Sequence, residues 1–202
     1  GGAQDLRFEL TGRFGDTRGV MKDDYRKRYS IGFKIDYFME NGLQISNRTT
    51  YQELDIQNTP YGSFSQYVQM NPYDAIYNAD GTLNNNLAWD LDNPLYEATI
   101  GSFSTSGERT FSNITDLRWD ISKMFLLTGH FNVTSSAGES DIFTSPKSRV
   151  YKDITDISKK GEYTKSNDRG TSYNGNLVGT FNKMFKDESL ISLSAGWEIN
   201  HS

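Results

Sequence analysis

Alternation of apolar and polar residues with a period of two is the feature that most constrains how this chain folds. It begins at residue 6, where two sets of side chains interleave: Leu6, Phe8, Leu10, Gly12 and Phe14 alternate with Arg7, Glu9, Thr11 and Arg13. Successive side chains of a β-strand point to opposite faces, so this pattern predicts a strand with one apolar and one charged face.

The same alternation predicts six further strands. They span 25–37, 43 to about 53, 109–121, 125–134, 173–182 and 191–200. The connectors between the seven strands are predicted at 15–24, 39–42, 54–108, 122–124, 136–169 and 183–188. Asn41 and Gly42 suit the positive φ of a tight turn. The two long connectors, 54–108 and 136–169, lack periodicity and are polar.

Short and longer connectors alternate along the chain, which favours a transmembrane β-barrel. Outer-membrane barrels place short turns on the periplasmic side and longer loops outside. We therefore expect Gly1, Gly2 and the short turns to face the periplasm, and 54–108 and 136–169 to be extracellular loops. A soluble antiparallel sandwich or lipocalin-like barrel has no reason to sort its connectors or to enclose so charged a face.

The composition agrees with this fold class, an all-β, antiparallel up-and-down barrel. Hydrophobic residues make up only 35% of the chain and the mean hydropathy is -0.67, yet 13% of residues are aromatic. Disordered chains are poor in aromatics, whereas barrels carry aromatic girdles at both membrane interfaces. The predicted lipid-facing girdle residues are Tyr25, Tyr29, Tyr37, Trp119 and Trp197. The net charge of -5 and the lack of a basic stripe argue against nucleic acid.

The predicted strand count points to an arc of a larger barrel. Bacterial single-chain barrels have an even number of strands from eight upward, and open strand edges are not tolerated in hydrocarbon. The sequence starts Gly1-Gly2 without a basic and apolar leader, so we expect the natural N-terminus to lie upstream. We therefore expect residues 1–202 to be part of a barrel domain, with the remaining strands elsewhere.

Several segments resemble the SusC/RagA-type branch of the TonB-dependent outer-membrane transporters. At the start of the barrel the similar segments are Gly1-Gly2, 6–12 (LRFELTG), 19–22 (GVMK) and 24–30 (DYRKRYS). Further along they are the loop stretches 71–81 and 93–95 and the final hairpin 176–198. The ordered set carries the resemblance, because no single segment is specific.

The resemblance implies a 22-stranded barrel with an N-terminal plug, energised by the TonB system and capped by a SusD-like surface lipoprotein. Such a protein imports oligosaccharides or peptides across the outer membrane of a Gram-negative bacterium. The plug and its TonB-contacting segment are missing from this sequence, as are the later strands.

The first long loop is rich in aromatic residues. They are Tyr61, Phe64, Tyr67, Tyr73, Tyr77, Trp89 and Tyr96. Flat rings stack on sugar faces, and loops often carry binding residues, so this loop is the predicted site of ligand or partner contact. The alternative is that the rings only pack the loop into a compact fold.

Enzyme, metal and cofactor sites are not expected. His130 and His201 are the only histidines, and neither belongs to a hydrolase or metalloprotease motif. Asp153, Asp156 and Glu162 lack the spacing of a calcium loop. Cysteine is absent, which excludes disulfides and thiolate sites.

The leading hypothesis is therefore a barrel segment of a SusC-like importer with outer-membrane lipids around it. Two alternatives stay open. In one, the segment is a subunit or substrate held by an outer-membrane assembly or secretion complex. In the other, it is a small self-contained porin-like barrel.

Overall fold

The protein is a single antiparallel sheet of seven strands with two long connectors. The computed structural model describes residues 1–2, 5–62, 64–68, 70–88, 91–185 and 189–201. The strands are β1 (Leu6–Arg18), β2 (Tyr25–Phe38), β3 (Leu43–Asn58), β4 (Phe103–Asp120), β5 (Phe125–Thr144), β6 (Glu162–Met184) and β7 (Leu190–His201). They pair in sequence order from β1 to β7. The predicted all-β, antiparallel up-and-down fold of seven strands is confirmed, and within these residues the sheet does not close on itself.

The apolar sides of all seven strands lie on one face of the sheet. One row of paired residues shows this: it runs through Leu6, Tyr37, Ile45, Leu117, Gly129, Leu177 and Trp197. Side chains directly opposite each other on one face have Cβ atoms about 4.5–5.5 Å apart. We call this the apolar face, and the opposite side, which carries Arg7, Lys34 and Arg48, the polar face.

A band nine residues long runs across the apolar face. Its segments are 6–14, 29–37, 43–51, 111–119, 125–133, 173–181 and 191–199. Its end towards the long connectors is rich in aromatic rings: Phe14, Tyr29, Tyr51, Phe111 and Tyr173. The apolar-face positions of these segments carry no charged residue. Ion pairs on this face begin beyond the band, where Arg109 Nε lies 3.2 Å from a Glu53 carboxylate oxygen.

The register tilts this band relative to the strands. In three of the strand pairs, the last band residue of one strand lies opposite a residue that is two positions inside the band segment of the next strand. These pairs are Tyr37–Ile45, Trp119–Leu127 and Phe181–Leu193. The other three strand pairs show no shift, so the band moves by about one residue per strand on average. With ~3.3 Å per residue and ~4.8 Å between strands, the strands are tilted by about 35° from the direction across the band. Nine residues at this tilt make a band about 24 Å tall, close to the ~25 Å of outer-membrane barrels.

Four strands continue past the predicted loop boundaries, so the predicted loops 54–108 and 136–169 are too long. The connectors are 59–102 and 145–161. In the β5–β6 extension the register continues without interruption from Ser135–Thr171 to Thr144–Glu162. Both faces are largely polar there, so the backbone ladder persists where the sequence no longer alternates. Apolar and polar residues alternate only where the two faces of a strand meet different environments. The sequence pattern therefore does not reveal a strand that has water on both sides.

The short connectors agree with the predicted turns. Gly42 has a φ of 81°, and its backbone N–H donates to the Met39 carbonyl at 3.1 Å. The connector between β4 and β5 is 121–124, one residue longer than predicted. β6 runs to Met184, two residues into the predicted turn 183–188, of which 186–188 lie outside the described residues. β1 likewise runs to Arg18, four residues into the predicted connector 15–24.

The sheet lacks a hydrophobic core of its own. Among the described residues, the buried side chains are Leu87, Asn93, Glu97, Ser145 and Arg149, all in the long connectors. Large residues of the apolar face are instead exposed, including Leu10 at 69% and Trp197 at 63%. No helix in the described part of the chain is long and apolar enough to span a bilayer.

Candidate functional site

A shallow pit lies on the polar face of β1–β3, centred on Gly32. Three rows of paired residues form it: Glu9, Lys34 and Arg48; then Thr11, Gly32 and Thr50; then Arg13, Ser30 and Gln52. The pit has a volume of about 280 Å³. Gly32 opens its floor, since a Cβ there would lie 2.7 Å from the Thr11 hydroxyl oxygen. These rows thus form a small polar cavity with cations at two edges.

Among the described residues, only one of the three cations around the pit forms an ion pair. Lys34 Nζ donates to Asp36 at 2.8 Å, and Ser46 donates to the other oxygen of the same carboxylate at 2.6 Å. Among the described residues, Arg13 and Arg48 make no ion pair, and both are exposed. Their guanidinium groups keep their donors available to a ligand in the pit.

A closed polar network lies on the otherwise apolar face of β3 and β4. Asn47 and Asn113 each donate to the other's amide oxygen at 3.1 Å. Asn47 also donates to Thr115, and Asn113 to Thr49, at 2.8 Å each. The two hydroxyls donate back to amide oxygens at 3.3 Å. The four residues therefore satisfy one another.

The two long connectors meet at a buried contact, here called the loop junction (Asp92, Glu97, Ser148 and Arg149). Glu97 ends helix α2 (Pro94–Glu97) in the first connector. Its carboxylate accepts from the Ser148 hydroxyl and the Arg149 backbone N–H, both at 2.9 Å. Arg149, whose side chain is only 6% exposed, lies 3.1 Å from Asp92. The junction joins the connectors that extend from the same end of the sheet.

Asn93 organises the first connector around this junction. It is 1% exposed and caps α2 by accepting from the Leu95 N–H at 3.0 Å. Its amide donates to the carbonyls of Ile76 and Asn84, at 3.1 and 2.6 Å. One side chain thereby ties three segments of the connector together.

The predicted loop aromatics divide into two groups. Phe64, Tyr73 and Tyr77 are exposed, at 52%, 92% and 59%. Tyr61, Tyr67 and Tyr96 are half-buried and bonded within the loops; Tyr96, for example, donates to the Lys147 carbonyl at 3.4 Å. Trp89 lies outside the described residues. Ring packing accounts for the second group, and the first group stays available for contact.

Tyr67 is the most perturbed of these aromatics. It lies in helix α1 (Phe64–Val68), with its ring 6.4 Å from that of Tyr61. Its hydroxyl donates to the Tyr61 carbonyl. Burial, with smaller contributions from Asp92 and Glu97, raises the pKa of Tyr67 to about 12. The phenol therefore remains a hydrogen-bond donor well above its ordinary pH range.

The predicted girdle residues all lie on the apolar-face side of their strands. Tyr29 and Tyr37 mark opposite ends of the β2 segment of the band, and Trp119 ends the β4 segment. Trp197 lies two residues inside the end of the β7 segment. Tyr25 lies beyond the band, with the Arg18 and Lys27 cations 5.8 and 5.0 Å from its ring.

No group of carboxylates and histidines within the described residues is arranged to hold a metal ion. His130 instead lies 2.6 Å from Asp116, its cross-strand neighbour on the polar face. The alternation placed Arg7, Glu9 and Arg13 on one charged face of the first strand, but it did not reveal the pit, because the pit depends on the register between strands. The sequence pattern also missed the loop junction, whose partners are about fifty residues apart.

No protein-family model matches the chain, and a search of curated proteins finds no match.

Proposed function

We propose that the chain is a wall segment of a SusC-like, TonB-dependent outer-membrane importer of oligosaccharides or peptides. The observation that carries the proposal is the exposed apolar band, nine residues long on every strand. Its height of about 24 Å suits the hydrocarbon layer that outer-membrane barrels span.

A lipid environment accounts for a sheet without a core. Soluble proteins rarely expose a contiguous apolar surface larger than a few hundred Å². Here a band across the whole sheet is apolar, from Leu10 on β1 to Trp197 on β7, apart from one polar network, and it lacks a covering layer among the described residues. Lipid chains in contact with this face supply the burial that a soluble sheet obtains from a second layer.

The polar network of Asn47, Thr49, Asn113 and Thr115 supports the same environment. Polar groups in hydrocarbon must find partners within the protein, because water is not available to them. These four residues find theirs in one another, while the residues around them on the band are apolar.

Import, rather than passive anchoring, is supported by the polar face and by the loops. The polar face carries Arg13 and Arg48 at the edges of a pit, which suits a route for polar solutes. The long connectors are held together by the loop junction above one end of the sheet, where a SusD-like lipoprotein would dock. The plug and the TonB system are part of this proposal because the sequence resembles the SusC-type transporters.

The two edge strands of the sheet, β1 and β7, help to distinguish a larger barrel from the porin-like and assembly-complex alternatives. Within the described residues, β1 and β7 are not paired with each other. Gly1 exchanges backbone hydrogen bonds with Phe8 at 2.8 and 2.9 Å, so the outer edge of β1 accepts an antiparallel partner. This disfavours a self-contained seven-stranded porin, and it suits both a larger barrel and a segment held by an assembly complex.

A pair of spin labels tests the membrane orientation of the sheet. The chain has no cysteine, so Phe131→Cys on the apolar face and Thr128→Cys on the polar face, both within the band, can each be labelled alone. In lipid we expect oxygen to relax the label at 131 more strongly, and a water-soluble nickel complex to relax the label at 128 more strongly. Equal access of the nickel complex to both labels would refute the membrane wall.

Edge cross-linking and uptake then separate the alternatives. A disulfide within one chain between Thr11→Cys on β1 and Ser194→Cys on β7 would support a small closed barrel, and we expect none. Labelled oligosaccharide or peptide uptake by cells carrying the protein should stop when TonB is removed. Unchanged uptake would contradict the importer and leave the assembly-complex alternative.

A further inference from the structure

We infer that the Gly32 pit is a binding site for an anionic saccharide unit, such as a uronate residue of an acidic glycan. This inference rests on the proposed function, because only then does the polar face line an import route.

Charge on the polar face is divided between the two halves of the sheet. The β1–β3 half carries six basic residues and two acidic ones: Arg7, Arg13, Arg26, Arg28, Lys34 and Arg48, with Glu9 and Asp36. The β4–β7 half carries one basic residue and six acidic ones: Arg118, with Glu108, Asp116, Asp120, Glu162, Asp168 and Glu198. A surface divided in this way attracts anions to the basic half, where the pit lies.

Two of the three cations around the pit are available for binding. The Lys34 ammonium is held by Asp36, whereas Arg13 and Arg48 have no ion-pair partner among the described residues. They lie on the outer two of the three rows, on opposite sides of Gly32, so a ligand seated in the pit lies between them. A guanidinium group binds a carboxylate through two parallel hydrogen bonds.

The rest of the lining suits hydroxyl groups. Thr11, Ser30 and Thr50 offer hydroxyls and Gln52 offers an amide. The Thr11 hydroxyl donates to the Gly32 carbonyl at 3.3 Å, so it is available to a ligand as an acceptor. A pit of about 280 Å³ lies at the lower end of small-molecule sites, which range over ~300–1,000 Å³. Apart from Phe33 the lining is not apolar, so it offers little to the apolar side chains of a peptide. A small ligand with one carboxylate and several hydroxyls is the best chemical match.

Glu9 determines how the ligand is oriented. It lies in the same row as Lys34 and Arg48, at the β1 edge of the pit. Its carboxylate repels an anion but accepts from sugar hydroxyls. We therefore expect the ligand carboxylate to lie towards Arg48 and its hydroxyls towards Glu9 and Thr11.

The test is calorimetric binding to the purified protein, with residues 1–202 in their complete barrel, in detergent micelles at about 0.15 M salt, where long-range attraction is screened. The probes are trigalacturonate, neutral maltotriose and triglutamate. Trigalacturonate should bind at least about tenfold more tightly than either of the others. Arg48→Gln and Arg13→Gln should each weaken trigalacturonate binding about tenfold, which is the effect of losing one charged hydrogen-bonded contact. Gly32→Val, which fills the floor with a residue suited to strands, should abolish it.

Arg26→Gln is the matched control, because it removes the same charge from the same face two rows beyond the pit. Its affinity for trigalacturonate should change less than about twofold. Equal binding of trigalacturonate and maltotriose, or equal losses in all three arginine variants, would overturn the inference. Equal binding of triglutamate would overturn it in favour of an acidic peptide. In each case the spin labels still report separately on the membrane wall.

Discussion

The network of Asn47, Thr49, Asn113 and Thr115 shows how single residues solve a solvation problem on the apolar face. Asn47→Val removes the two hydrogen bonds that Asn113 exchanges with Asn47, so we expect it to lower the free energy of unfolding by about 1–3 kcal/mol. Replacing both asparagines by valine should cost less than the sum of the two single losses, because no amide is then left unsatisfied and only the Thr49 and Thr115 hydroxyls lose partners.

Denaturant unfolding in micelles of Asn47→Val, Asn113→Val and the double variant measures this coupling. Ile45→Val, on the same face of the same strand, serves as the control for a change of apolar volume. Additive losses from the two asparagine variants would contradict a closed network.

A second prediction at this scale concerns Tyr67. Its pKa is raised from 10.0 to about 12, so the fold favours the protonated phenol. This contribution to stability is fully present below pH 10 and is lost as the pH rises from 10 to about 12. In an alkaline absorbance titration of tyrosinate, Tyr67→Phe should remove the last step. Tyr73→Phe, which alters a ring that is 92% exposed, should leave that step in place.

At the scale of elements, the loop junction joins two connectors that the sequence treats as separate. Glu97→Gln keeps the shape of the side chain but removes the charge that accepts from Ser148 and Arg149. Losing charged hydrogen bonds in a buried contact costs about 1.5–3 kcal/mol, which makes local opening roughly tenfold to a hundredfold more frequent. Trypsin cleavage after Lys147 and Lys152 should accelerate accordingly.

Asp153→Asn is the control for this variant, since it removes an exposed carboxylate from the second connector, where both cleavage sites lie. Its cleavage rate after Lys147, the site not adjacent to Asp153, should match that of the unmodified chain. If the Glu97→Gln variant is cleaved no faster than this control, the junction does not hold the loops together.

The elements also show what the sequence can and cannot predict. Seven strands, their order and the turn at Gly42 follow from alternation and turn chemistry. The strand ends near Asn58 and Thr144 do not, because alternation stops where both faces meet water. The Glu97–Arg149 contact depends on residues about fifty positions apart in sequence, and the Gly32 pit depends on register. Those features require the tertiary structure.

At the scale of the whole molecule, the tilted band predicts a preferred bilayer. Folding into vesicles should be most complete at a hydrocarbon thickness of about 22–25 Å and should decline in bilayers of about 30 Å or more. Glu53→Leu combined with Arg109→Leu removes the ion pair just beyond the band and extends the apolar segments of β3 and β4 by two residues.

This double variant should therefore tolerate thicker bilayers than the unmodified chain. Protease protection of the strands after folding into vesicles of graded thickness measures the effect. An optimum that does not move with the double variant would show that the band does not set the fit to the bilayer.

The alternation that builds the apolar face also governs how such a chain travels. Because every second residue is polar, the unfolded polypeptide offers no continuous apolar segment of the ~20 residues that halt a helix in a lipid layer. Under the proposed function, the chain therefore crosses the inner membrane as an ordinary secreted passenger. The apolar face that would contact lipid forms only when neighbouring strands pair, so no single stretch of the sequence carries it.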